Sequence, residues 1–336
     1  MRKKSDTSSL FKVLGITPQS IIILIIGLVF AGVILGLLVK NSSKIKKKTP
    51  ASKISINKME TIKEQKSKEI ISEFPNNQMQ DIKKDIPPSK PITQLIENTP
   101  FNENKLIFSK KVETPVVAIV IDDMGVDMLR SNKLLNIPEI YTVAFLTYAP
   151  NLQSQINFAK TKGKEILLHV PMEATNNIYD YGPEVLTTKN SHAINLELLN
   201  SMLERVSGYI GINNHMGSKF TADLALLSGV IEELSKKGLC FLDSKTTPLS
   251  KADEIVKHIK LPYATRDVFL DDSNKLEDIE KSLIKLEKIA KKKGFAVAIG
   301  HPRDNTIKAL EKWLPSIKNK GLTSVPLSYI IDNYNN

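Results

Sequence analysis

VVAIVIDDMG, residues 116–125, runs through six apolar residues and then two adjacent carboxylates, Asp122 and Asp123. An apolar run of that length, rich in β-branched residues, reads as a buried strand. A strand that ends in a charged side chain projects it from the carboxyl edge of its sheet, where parallel α/β folds build their sites. Four further runs end in the same way: EILL at His169, YIGINN at His215, LCFL at Asp243 and FAVAIG at His301. One such ending carries little information, because Asp is common in loops. Five of the same chemical kind point to a shared rim of acid, base and metal-ligand groups.

Outward from this run, apolar and amphipathic stretches alternate from Pro115 onward. The apolar ones predict strands over 116–121, 141–146, 165–170, 209–212, 239–242, 267–270, 295–299 and 322–325. The amphipathic ones predict helices over 127–135, 152–162, 196–206, 222–237, 251–259, 275–293 and 305–314. The longest has apolar residues at 276, 279, 283, 286 and 290, a clean helical face. Gly163, Gly238 and Gly294 each follow a Lys-ended helix and precede a strand, as C-capping glycines do. Repeated β–α alternation implies a parallel sheet with helices outside. Strands with chemistry at their ends favour a closed or nearly closed barrel; an open doubly wound sheet is the alternative. No GxGxxG or GxxxxGK[ST] follows a strand, which argues against nucleotide-phosphate binding.

The chain has 336 residues and a formal charge of +11. All of the excess precedes the folded part: residues 1–112 hold 20 Lys and Arg against 9 Asp and Glu, whereas residues 113–336 hold 27 against 27. A basic nucleic-acid face on the folded part is therefore not expected. The lone cysteine, Cys240, lies inside LCFL and reads as a buried structural thiol.

Ile21 to Val39 is an uninterrupted apolar run of 19 residues. It spans roughly 28 Å as a helix, the hydrocarbon thickness of a bilayer, so residues 21–39 predict a transmembrane helix. No small-x-small cleavage site follows it, which favours a retained anchor over a cleaved signal. Lysines and arginines flank the span on both sides, so charge alone does not orient it. A short basic tail, residues 1–20, favours a cytoplasmic amino terminus and a periplasmic body, single-pass in the inner (cytoplasmic) membrane. Residues 40–112 are rich in Lys, Ser, Asn, Gln and Pro and predict a mostly disordered basic linker, with a short helix near 55–73.

Two adjacent carboxylates at a strand end, Asp122 and Asp123, can divide labour, one holding a cation and the other accepting a proton. Three of the five histidines, His169, His215 and His301, also stand at strand ends; neutral imidazole suits zinc, and two histidines with one carboxylate form a familiar catalytic zinc set. His192 and His258 read as a loop residue and a solvated helix residue. Arg266 is placed to orient a carboxylate, and Asn214, Glu173 and Asp243 are expected near the substrate. Asp271 and Asp272 read as caps of the following helix.

The order IVIDDMG, VAFLTYAP, EILLHVPME, GINNHMGS, LCFLDSKT, RDVFLDD, AIGHP and SVPLS resembles the divergent polysaccharide deacetylase family over roughly residues 114–333. The resemblance implies a distorted (β/α) barrel of seven or eight mostly parallel strands in residues 113–336. It implies metal-dependent removal of acetyl groups from sugars, with Asp122 as base, Asp123 as metal ligand and His301 as general acid. One motif departs. The usual HxxxH is HVPME here, with Glu173 four residues after His169, so the third ligand must be His215 or Glu173 itself. The sequence thus predicts a membrane-anchored deacetylase of an N-acetylated envelope glycan, using a divalent ion, zinc by its ligand chemistry. The alternative is a glycan-binding or scaffold module that keeps the barrel without the catalysis. A phosphoesterase is disfavoured because no Arg/Lys clamp is evident.

Overall fold

Residues 116–121 are fully buried with both faces covered, and that burial explains why their sequence carries no polar alternation. A computed structural model describes residues 99–108, 112–176 and 181–334. The basic tail, the apolar span at 21–39, and the linker with its expected helix over 55–73 lie outside the described residues up to residue 98. Among the described residues no helix is long and apolar enough to cross a membrane.

The strands are β1 (Val116–Met124), β2 (Thr142–Leu146), β3 (Glu165–Met172), β4 (Gly211–Met216), β5 (Cys240–Asp243), β6 (Tyr263–Thr265), β7 (Val268–Phe269), β8 (Phe295–Gly300) and β9 (Thr323–Ser324). The helices are α1 (Pro100–Asn104), α2 (Met128–Leu135), α3 (Leu152–Thr161), α4 (His192–Glu204), α5 (Leu224–Lys236), α6 (Ala252–Ile255), α7 (Leu276–Lys293), α8 (Asp304–Trp313) and α9 (Leu327–Tyr334). The main sheet runs β6-β5-β4-β3-β2-β1-β8-β7, and β9 pairs with the start of β1. Every ladder between these strands is parallel. The sheet curls into a half-barrel with β6 and β7 at its two ends, the barrel-like architecture expected from the β–α alternation.

Strand parity divides the core in two. Val117, Ile119 and Ile121 pack outward with the helices, together with Ile166, Leu168, Leu283 and Leu310. Val116, Ala118 and Val120 pack with Leu167, Leu242, Val297 and Ile299 on the inner face. Phe101 of α1 and Leu327, Ile330 and Ile331 of α9 join that inner cluster. The amino-proximal end of the half-barrel is thereby stoppered by two helices that hydrophobic periodicity did not reveal.

Residues 99–108 fall in the stretch read as linker, yet they belong to the folded body. Thr99 caps α1 through its hydroxyl, Phe101 is buried, and its N–H donates to the Gly238 carbonyl at 3.1 Å. The strand expected over 267–270 shrinks to two residues, and β6, just before it in sequence, was not anticipated, because both are too short to show a period. The helix expected over 251–259 closes after Ile255.

Candidate active site

The inner face of the sheet continues past its apolar floor into polar side chains at the carboxyl edge. The two-residue period that places Val120, Leu167, Leu242 and Ile299 inside also places Asp122, His169, Ser244 and His301 there. Asp123 has the wrong parity for that face, since Ile121 packs outward. The ladder between β1 and β2 corrects this with a register shift between Ile121 and Met124, and Asp123 adopts a left-handed φ of 55°. The irregularity brings both carboxylates to one cavity of about 600 Å³, which His169, His215 and His301 also line. Asp adopts this conformation more readily than most residues, and positions of this kind recur at functional sites.

The two carboxylates have different surroundings. Asp122 is 3% exposed and Asp123 34%. Burial pushes the Asp122 carboxyl up, against the attraction of His169 and His301. Asn213 Nδ2 donates to its Oδ1 at 2.8 Å. Burial alone would raise Asp123 too, but His169 and His215 beside it outweigh that effect and hold it well below the usual carboxylate range. One group is thus disposed to take a proton while its neighbour stays ionised.

Asp123 Oδ1 lies 3.1 Å from His215 Nδ1 and 3.4 Å from His169 Nε2. The same two ring nitrogens face each other at 3.1 Å. Among the described residues, Oδ1 is buried without a hydrogen-bond partner. The ligand atoms of Asp123, His169 and His215 all lie within 4.8 Å of one another. A buried oxygen without a directed donor and two imidazole nitrogens aimed at one point fit a divalent cation, and this donor set suits zinc. His169 is oriented from behind, its Nδ1 being 2.9 Å from Asn213 Oδ1.

His301 stands opposite, its Nε2 4.0 Å from Asp123 Oδ2. Asp271, read from sequence as a helix cap, is fully buried and serves this histidine instead. Its carboxylate accepts from His301 Nδ1 and the His301 N–H, both at 2.8 Å, and from Thr306 Oγ1 at 2.6 Å. Burial would lower the His301 pKa; its bond to Asp271 and the charges of Asp271, Asp123 and Asp122 raise it. The quoted motif RDVFLDD contained this residue, but only the fold aligns its carboxylate with the β8 end.

Glu173 and Asp243 do not line the cavity. The Glu173 carboxylate accepts from Thr188 N at 2.6 Å, Thr188 Oγ1 at 2.7 Å and Lys219 Nζ at 2.8 Å. Of the two candidates for the third ligand, His215 therefore converges with Asp123 and His169, and Glu173 does not. Asp243 follows the inward Leu242 and so faces away; it accepts from Lys245 N and Ser250 Oγ. Asn214 does line the cavity and accepts from Ser244 N at 2.9 Å. Arg266 is at the wall too, but it grips no carboxylate: Nε and Nη2 donate to the Ser244 and Lys245 carbonyls, and the guanidinium lies over Phe269. Its role is to fix the loop after β5. Arg266, Lys245 and Arg303 all line the cavity, cationic groups that the neutral charge balance had concealed. Cys240 is buried on the inner face, and burial pushes its thiol well up.

Fold and site together define a (β/α)-barrel-like protein of the deacetylase type. A sequence model described as divergent polysaccharide deacetylase matches residues 119–331. The chain belongs to that family. A Haemophilus influenzae Rd protein is 34% identical over 221 residues, covering 64% of this chain and 79% of its own. YibQ of Escherichia coli K12 is 32% identical over 219 residues, covering 63% and 68%. A crystal structure of an Agrobacterium tumefaciens C58 protein superposes with a TM-score of 0.66 at 28% identity, covering 69% of this chain and 95% of that one.

Proposed function

We propose that this chain is a metal-dependent deacetylase acting on an N-acetylated glycan of the cell envelope. It is anchored in the inner (cytoplasmic) membrane by residues 21–39, with the half-barrel in the periplasm. The observation that carries the chemistry is the convergence of Asp123, His169 and His215 on one point, with Asp122 and His301 to either side. The membrane placement rests on the uninterrupted apolar run and the basic tail before it.

Asp123, His169 and His215 would hold the divalent ion, zinc by its donor set. When bound, that ion polarises the acetyl carbonyl and makes water more acidic. Asp122, raised by burial, accepts the proton that water loses as it attacks the acetyl carbon. Asn213 ties Asp122 to His169, bonding one through its amide nitrogen and the other through its oxygen. His301 gives a proton to the departing amine from Nε2, because Asp271 occupies Nδ1. Asp271 keeps the ring protonated to higher pH and fixes its plane, so Nε2 faces the cavity.

The full-length chain tests the reading through its metal content and acetate release from an N-acetylated oligosaccharide, with Asp123→Ala alongside. About one metal per chain and release that Asp123→Ala abolishes are the expected results. A chain without metal, or equal release by both proteins, would overturn it.

A further inference from the structure

The main cavity meets a second one, of about 460 Å³, lined on its far side by Val126, Leu146 and Tyr148. The two share Asp123, His215, Met216, His301 and Arg303, so Arg303 stands at the seam beside the reacting centre. Its guanidinium is tethered at one end only, where Nη1 donates to the main-chain carbonyl of Asp271 at 2.5 Å. Among the described residues it forms no ion pair, and its Nε and Nη2 have no acceptor. The other cations of the wall are occupied: Lys245 pairs with Asp253 at 2.6 Å, and Arg266 spends two donors on the Ser244 and Lys245 carbonyls. Arg130, on the neighbouring helix α2, is divided between Asp127 and Asp304.

The tether and the unused edge together describe a recognition group. A guanidinium held at Nη1 cannot swing away, and its Nε–Nη2 edge is a planar two-donor fork that matches the two oxygens of a carboxylate. Three acidic residues, Asp122, Asp123 and Asp272, share the cavity wall, so a monoanion suits the place better than a dianion. We infer that Arg303 is a specificity determinant that binds a carboxylate carried by the substrate close to the acetyl group, making the substrate class an acidic N-acetylated glycan. This deepens the deacetylase reading and rests on it for the identity of the neighbouring group. A purely structural Arg303, serving only to steady Asp271 behind His301, would show no preference among ligands.

Calorimetric titration of the full-length chain decides between these. The ligands are an N-acetylated oligosaccharide with a free carboxylate, the same sugar with that carboxylate reduced to the alcohol, and a phosphorylated counterpart. The acidic sugar should bind about tenfold or more tighter than the reduced one, the size of a charge-assisted pair of hydrogen bonds. Arg303→Gln should erase that difference, and Arg303→Lys should keep part of it. Equal affinities in the unaltered chain, or a preference that survives Arg303→Gln, overturn the inference; tighter binding of the phosphorylated sugar overturns the choice of carboxylate. The comparison of sugars on the unaltered chain needs no variant and can overturn the inference by itself; if Arg303→Gln misfolds, Arg303→Lys, which keeps the charge and loses the planar fork, assigns the preference to Arg303 by weakening it. Acetate release measured in parallel separates the two readings. Release without discrimination removes the specificity role and leaves the deacetylase; acidic preference without release does the reverse.

Discussion

Replacing Glu173 by His rebuilds the HxxxH spacing from His169, and on sequence grounds it should complete a second metal-binding histidine. The structure predicts that it does not. The Glu173 carboxylate is turned to Thr188 and Lys219, and its own carbonyl accepts from the Lys219 and Phe220 N–H groups, so the backbone here is committed. An imidazole at this place leaves the Thr188 N–H without its acceptor, a loss of about 1–3 kcal/mol. The ion pair adds at most about 1 kcal/mol, because Lys219 is 43% exposed and the charge is screened. A total near 2 kcal/mol lowers the unfolding midpoint by about 4–8 °C in a body of this size. Calorimetric unfolding and zinc titration measure both quantities: stability should fall by that amount, while zinc stoichiometry and affinity stay within threefold. A tenfold gain in affinity, or no loss of stability, would refute the placement of Glu173 outside the metal cluster. Glu173→Gln adds a pH test. Lys219 and Thr188 hold the Glu173 carboxyl at about 2, below its ordinary 4.5. Its contribution is therefore complete above about pH 4.5 and lost as the pH falls toward 2. The stability gap between the two proteins should stay constant from pH 7 to about 5 and close below that.

Asp271→Asn removes the charge that keeps His301 protonated, so the His301 pKa falls. The alkaline limb of kcat should move to lower pH by about one unit, with kcat reduced about a hundredfold; an unmoved limb would show that His301 does not supply the proton. His215→Ala withdraws one of three converging ligands and should weaken zinc binding more than about tenfold, read by competition with a chromophoric chelator; unchanged affinity would point to another ligand set. Phe101→Ala empties a site that is 3% exposed and should cost about 3 kcal/mol in urea unfolding. A loss below about 1 kcal/mol would return residues 99–108 to the linker.

Much of the rim was legible because β-strands display chemistry with a period of two. Asp122, His169 and His301 each continue an inward-facing row, and apolar runs that stop at a polar residue show where those rows end. Parity also explains the misplaced candidate: Asp243 ends an apolar run just as plainly, but on the outer face, and a run buried on both faces carries no mark of which side is inside. The partners of Arg266 and Asp271 escaped for another reason. They lie 22 and 30 residues away in sequence, and only the pairing of β5 with β6 and of β7 with β8 brings them together.

Asp123 is the place where a local rule is broken to make the site work. Regular β1 geometry would send one carboxylate of the Asp122-Asp123 pair to each side of the sheet, leaving only one of them at the cavity. The register shift after Ile121 and the left-handed Asp123 backbone reverse that parity for one residue. A non-glycine residue in that conformation costs on the order of 1–3 kcal/mol, and glycine would relieve it without any carboxylate. The imidazoles of His169 on β3 and His215 on β4 lie 3.4 and 3.1 Å from Asp123 Oδ1 and hold the carboxyl ionised against its burial. The adjacent carboxylates that end VVAIVI therefore stand in two different settings: Asp122 obeys the pleat and is buried beside Asn213, and Asp123 is bent out of it to lie between His169 and His215.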